Sequence, residues 1–283
     1  MIPSSFEYTR AETVAQAIEL LQSHPDSKIL AGGHSLIPAM KLRLSNPATL
    51  IDIARIPDLK FIKDRGKYIA IGAATTHHEI ATHHTTVEKI GLLALTASYI
   101  GDPQVRNRGT LGGSVAHADP ASDYPAVLMV MDATIVVDGP KGERNIHAHD
   151  FFKGFFTTDL AADEIITKIH VPEPPHDTTK YAYTKFAQPA SRFALVGCAV
   201  QMQVIGGKCS GVRVAFNGVS DYAFRDGTVE AALEGQLLNT ATIESAAAKA
   251  AEGVEVMSDH YAGANYRRQM AKVFTKRALM QLL

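Results

Sequence analysis

The sequence has almost no net charge. Its 28 basic and 29 acidic side chains leave a formal charge of −1 over 283 residues, so nothing in the balance points to a nucleic acid or an anionic membrane as partner. Long apolar runs are missing too, and none approaches the roughly 18 residues needed to span a bilayer. The opening MIPSSFEYTR lacks the charged start and apolar block of a secretion signal, so a cytoplasmic location is expected. Cysteine is scarce. Cys198 and Cys209 are the only two, whereas an iron–sulfur cluster takes about four thiolates, so any such centre would sit on another chain. The two flank a hairpin expected to turn at Gly206-Gly207. With Ile205 facing Lys208, Cys198 falls opposite Ala215 rather than Cys209, which argues against a disulfide.

Missing motifs narrow the chemistry further. There is no G-x-G-x-x-G and no G-x-x-x-x-G-K-S/T, so the usual dinucleotide fingerprint and the P-loop both fail. Gly33 and Ser35 begin a G-x-S-x-G pattern that Ile37 breaks. The stretch THHEIATHH places His83 and His84 five and six residues after His78, too far round a helix for the paired ligands of a metalloprotease. His77, His78, His83 and His84 are therefore expected to be exposed or capping residues.

What is present reads as an ordinary globular α+β chain, 46% hydrophobic. Thr9 and Glu12 have capping-box spacing at the head of a first helix, with Val14, Ile18 and Leu21 on its inner face. Strands at SKILA and ATLIDIA bracket a short helix in LIPAMKLRL, and LKFIKDRGKYIAIGA reads as a hairpin turning near Arg65-Gly66. A mostly helical stretch runs from Thr76 to Ile100, and ATIVVDG pairs with ERNIHAH. The prolines of VPEPPHDTT mark a domain boundary. It divides a domain of residues 1–175, itself split near residue 55, from a domain of residues 176–283 with three strands and then three helices. In the last helix Tyr266, Met270 and Val273 are expected inside, with Arg267, Arg268, Lys272, Lys276 and Arg277 solvated.

Two glycine loops carry the chemistry. Gly32-Gly33 follows a strand and precedes a helix. Bare backbone there can turn with positive φ and aim successive N–H groups into one concavity, a phosphate site to which His34 and Ser35 could add donors. Gly112-Gly113-Ser114 offers a second set of N–H groups, beside the Thr110 and Ser114 hydroxyls. The two could clamp a pyrophosphate from both sides, or be two unrelated tight turns. Asp119 precedes a proline and suits a cap. Asp123, repelled by a pyrophosphate, suits a ribose hydroxyl, a flavin ring edge or another donor.

The stretches AGGHSLIPAMKLRL and GTLGGSVAHADPASDYPA, with DPQVRNRGT, FFKGFFTTDLAADEIITKIHVP and SDHYAGANYRRQMAKVFTKRAL, closely resemble the FAD-binding medium subunit of the molybdenum hydroxylases, the carbon monoxide and xanthine dehydrogenase group. The resemblance implies a two-subdomain flavin-binding fold, of the kind shared in outline with vanillyl-alcohol-oxidase-type enzymes. A C-terminal domain of a three-stranded antiparallel sheet and three helices would follow it. It implies FAD with Ala31, Gly32, Gly33, His34, Ser35 and Leu36 cradling the pyrophosphate, and Thr110, Gly113, Ser114 and Ala118 on its other side. Asp123 would take a polar cofactor group, Ile100 and Ile166 would pack on it, Lys185 would reach toward the flavin, and Phe193 would stand beside the ring where some relatives carry tyrosine. The implied partners are a large molybdopterin subunit and a small [2Fe-2S] subunit, in a dimer of heterotrimers, with no metal and no substrate oxidation on this chain. Electrons would reach FAD here and leave to an external acceptor. A stand-alone flavin reductase or oxidase of related topology, and a non-enzymatic module that binds partners through its C-terminal domain, are the alternatives.

Overall fold

A computed structural model describes residues 1–283. The chain opens with β1 (Glu7–Arg10), α1 (Val14–Ser23), β2 (Ser27–Leu30), α2 (Leu36–Lys41) and β3 (Thr49–Asp52). The strands form a parallel sheet in the order β1-β3-β2. Ile18 and Leu21 of α1 close over it with Ile51, Ile53 and Ile56. The helix starts later than the spacing of Thr9 and Glu12 predicts. Thr9 is taken into β1 opposite Ile51, and Thr13 caps α1 by accepting the Gln16 N–H. Strand pairing with β3 outcompetes the local box.

A hairpin of β4 (Ile62–Asp64) and β5 (Tyr68–Gly72) follows, then α3 (His77–Thr82), α4 (His84–Lys89), α5 (Gly91–Tyr99), α6 (Pro103–Arg106), α7 (Leu111–His117) and α8 (Tyr124–Val130). Next come β6 (Thr134–Asp138), β7 (Arg144–His147), α9 (Ala148–Phe151), the small pair β8 (Phe152–Gly154) and β9 (Thr157–Thr158), and β10 (Ile165–Pro172). Five strands make an antiparallel sheet in the order β4-β5-β10-β6-β7. Its alternate residues Ile69, Ile71, Ile135, Val137, Ile169 and Val171 turn into one core with Leu93, Val115 and Val127 of the helices. All seven residues of α8 are buried, because this helix is covered by α5 on one side and by the C-terminal sheet on the other.

That last sheet is β11 (Thr179–Ala187), β12 (Ala194–Ile205), β13 (Lys208–Asn217) and β14 (Phe224–Arg225), antiparallel in that order, backed by α10 (Gly227–Leu233), α11 (Thr240–Ala247) and α12 (Ala264–Met280). The three long strands and three helices follow expectation, and β14, two residues long, adds an edge too short to show a period. Ile205 faces Lys208 as expected, yet Cys198 lies opposite Phe216 and not Ala215. A bulge shifts the register: Gly211, at φ +59°, and Val212 together oppose Met202. Both thiols remain free and buried, and burial pushes that of Cys198 up to about 12.

The last helix is rotated relative to its expected face. Tyr266 is exposed, Met270 and Val273 are half-buried, and Arg267, Ala271, Phe274 and Ala278 point inward. Arg267, expected in solvent, is 2% exposed. Its guanidinium donates to the carbonyls of Leu195 and Gly218 and to Asp259 Oδ2, each at 2.6 Å. No helix is long and apolar enough to cross a membrane.

Candidate functional site

β2 ends at an edge of its sheet, and the chain then turns through Ala31 to Ser35 into α2. None of the six consecutive N–H groups from Ala31 to Leu36 donates to another group of the chain, although all but His34 are at least half-buried. Gly33 permits this path at φ +75°. Gly32 serves a different need: a Cβ there would stand 2.1 Å from the Arg108 carbonyl oxygen, so the glycine allows the two loops to touch. His34 folds back on its own loop, with Nδ1 3.1 Å from the Gly32 carbonyl oxygen. Ser35 sits at the head of α2 with no capping bond from its hydroxyl, leaving that oxygen available beside the six amides.

The second loop is not a turn like the first. Thr110 caps α7, and Gly112 and Gly113 lie in its first turn. Their amides are already used: Gly112 N–H donates to Ala73 O, and Gly113 N–H to Thr110 Oγ1 at 3.1 Å. The expectation that this loop offers a free row of N–H groups is therefore corrected, because helix formation and the contact with Ala73, just past β5, consume them. The two loops nevertheless meet, since a Cβ on Gly113 would lie 3.8 Å from that of Ala31. The free donors on this side are hydroxyls. Ser114 Oγ lies 2.7 Å from Ser122 Oγ. Ala118 closes α7 in the left-handed region at φ +48°, a conformation costly for a residue with a Cβ.

Asp123 and Lys185, 62 residues apart, form a buried ion pair of 2.8 Å with side chains 5% and 3% exposed. Lys185 Nζ also donates to the Tyr99 carbonyl at 3.3 Å. Burial pushes the Asp123 carboxyl above its usual range, against the pull of Lys185 and Tyr183. A cavity of about 600 Å³ opens beside Lys185 at the seam between α5 and α12, lined also by Tyr99, Phe274, Arg277 and Met280. Ile100 ends α5 and packs on the main core, while Ile166 is a buried part of that core in β10. Phe193 is 40% exposed at the entry to β12, and the adjoining Ala194 N–H donates to the Ala121 carbonyl.

A family model for the FAD-binding domain in molybdopterin dehydrogenase matches residues 4–174, and one for the carbon monoxide dehydrogenase flavoprotein C-terminal domain matches residues 181–282. The chain belongs to this family. It is 38% identical over 282 residues to the glyceraldehyde dehydrogenase medium chain of Sulfolobus acidocaldarius, covering all of both chains. It is 39% identical to the carbon monoxide dehydrogenase medium chain of Hydrogenophaga pseudoflava, over 99% of this chain and 97% of that one. A solved carbon monoxide dehydrogenase from the same organism superposes with a TM-score of 0.96 at 40% identity, over 100% of this chain and 98% of that one.

For a medium chain of this family, several neighbours of the cleft escaped the sequence reading. His77 is buried, contrary to expectation, with Nδ1 3.1 Å from the Tyr124 hydroxyl. Burial, reinforced by Arg106 and His34, lowers it to about 3, so the imidazole is neutral. His83 does cap, accepting the Thr85 N–H, and His78 and His84 are exposed. Tyr183 hydrogen-bonds Asp123, and Asn217 stands behind it. The signal for Tyr183 was its alternation with Lys185 on one face of a strand. Nothing local marks Asn217.

Proposed function

We propose that this medium chain is the flavin subunit through which electrons leave a molybdenum hydroxylase. On this reading residues 1–175 hold FAD and residues 176–283 form a second domain that closes over it. A large molybdopterin subunit and a small [2Fe-2S] subunit are the partners, in a cytoplasmic dimer of heterotrimers, and an external acceptor takes the electrons. The single observation that carries the reading is the row of six amides from Ala31 to Leu36 with no acceptor in the chain. A diphosphate is an acceptor-only group of matching reach, and main-chain N–H groups in a concavity are its usual partners.

FAD, when bound, supplies the one- and two-electron chemistry. The residues of the chain bind and orient it. Ala31, Gly32, Gly33, His34, Ser35 and Leu36 would hold the diphosphate from one side. Thr110, Gly113, Ser114 and Ala118 would close the other, with hydroxyls rather than amides as the free donors. Asp123 and Lys185 present opposite charges at the seam, Ile100 and Ile166 offer apolar surface, and the ring of Phe193 is available for stacking.

The test is to purify the chain with its partners, record its flavin absorbance, and titrate the flavin-free protein with FAD. A yellow preparation with close to one FAD per chain is expected. Gly32→Ala should weaken FAD at least tenfold, because the Cβ would force the two loops apart. A folded, colourless preparation that takes up no FAD sinks the proposal.

A further inference from the structure

Tyr183 and Lys185 lie two residues apart on β11 and so project from the same face of the sheet. Asp123, at the head of α8, enters between them. Its Oδ1 accepts from the Tyr183 hydroxyl at 2.5 Å and its Oδ2 from Lys185 at 2.8 Å. Behind Tyr183 stands Asn217 of β13, with Oδ1 3.3 Å from the hydroxyl and a buried Nδ2 that has no partner. In the ladder Gly197 lies directly between Lys185 and Asn217. A Cβ on Gly197 would stand 2.2 Å from Asn217 Oδ1 and 2.6 Å from the Tyr183 hydroxyl. The strand therefore gives up a side chain to make room for this cluster.

Proton arithmetic orders the group. A tyrosine hydroxyl has one proton. With that proton on the Asp123 carboxylate, in a short charge-assisted bond, the Tyr183 oxygen is left as an acceptor. Exchanging the two ends of the Asn217 amide turns Nδ2 toward that oxygen and gives the orphaned donor its partner. Donation then runs from Asn217 to Tyr183 to Asp123, with Lys185 donating from the opposite side. A buried carboxylate facing a single ammonium would be compensated by that ammonium alone. Here a hydroxyl shares the carboxylate, and Lys185 keeps a third N–H and part of its charge for whatever lies in front of it.

We propose that Tyr183, backed by Asn217, is a positioning residue that sets how much of the Lys185 charge reaches the flavin. The inference rests on the flavin reading above. A positive charge at the ring favours uptake of electrons, and the counter-charge of Asp123 opposes it. Removing the Tyr183 hydroxyl leaves Asp123 leaning on Lys185 alone.

Two measurements on the full chain, assembled with its partners, test this. The first is the flavin midpoint potential. Lys185→Met should lower it, Tyr183→Phe should lower it by a smaller amount, and Asp123→Asn should raise it. Asn217→Ala, farther from the cleft, should follow Tyr183→Phe. General loosening of the fold would move all four in one direction, so opposite signs separate tuning from damage. The second, which needs no flavin, is a double-variant cycle of Tyr183→Phe and Lys185→Met read by urea midpoints. The combined loss should depart from the sum of the single losses, because both act on one carboxylate. A potential in Tyr183→Phe and Asn217→Ala equal to that of the parent overturns the proposal, as do additive losses in the cycle. Failure to bind FAD at all would remove the flavin reading and the tuning with it, while the cycle would still decide the coupling.

Discussion

His77 shows how a single side chain departs from its sequence context. Four histidines in eight positions look like a polar surface, and two of them are exposed. The first is instead the opening residue of α3, drawn inward under the loop that ends at Gly109, where a Cβ would meet its Nε2 at 2.5 Å. Nothing in THHEIATHH distinguishes His77 from His78. The difference is made by the Gly109 loop and by Tyr124 of α8, which arrive from elsewhere in the chain. Burial has a consequence for pH. The unfolded chain binds a proton on this imidazole below its ordinary value of 6.5, whereas the folded chain refuses it down to about 3. Stability should therefore fall as pH drops below 6.5, by at most about 1.4 kcal/mol per pH unit. Urea unfolding at pH 7 and pH 5 checks this. His77→Gln should be less stable than the parent at pH 7 and show a shallower loss on acidification; an unchanged slope would place the acid sensitivity elsewhere.

Helices and strands were legible where their periodicity is local, and less so where a neighbour decides. The hairpin about Gly66, the pairing of β6 with β7 and the three long C-terminal strands all follow from alternation and turn residues. The start of α1 departs from its local capping signal because a strand claims Thr9. The inner face of α12 departs from its apolar pattern because a charged residue, Arg267, is buried. Arg267 carries an ion, but three of its bonds end on main-chain carbonyls of Leu195, Gly218 and Ala262. It ties the last helix to the ends of β12 and β13. Arg267→Met would keep much of the stem and strand those carbonyls and Asp259. A loss of about 3 kcal/mol is expected, read from the urea midpoint, and a neutral outcome would mean that water replaces the guanidinium at no cost.

At the scale of the whole molecule, three apolar clusters of 32, 21 and 10 buried residues divide the fold. The smallest belongs to the parallel sheet that carries the six free amides. Little buried apolar surface means a low cost of local opening. Amide hydrogen exchange should be fastest in β1, β2 and β3, slower in the C-terminal sheet and slowest in β5, β6 and β10. Added FAD should protect the first group most. Equal protection across the three sheets would contradict this ranking. The approach of the two glycine loops was anticipated from their motifs, whereas the shared pin at Asp123 was not. Its two partners, Tyr183 and Lys185, lie on β11 toward the other end of the chain, with Asn217 of β13 behind Tyr183, and only the assembled fold brings them together.

The six amides after β2 belong to the peptide itself, so the letters written there are largely free of the duty performed there. Randomising His34, Leu36 or Ile37 would scramble the text of the loop and leave its grip intact. The burden of spelling falls on the two silent positions, 32 and 33, that shape the path. A library screened for flavin retention would find tolerance where the motif looks most chemical, and intolerance where there is no side chain at all.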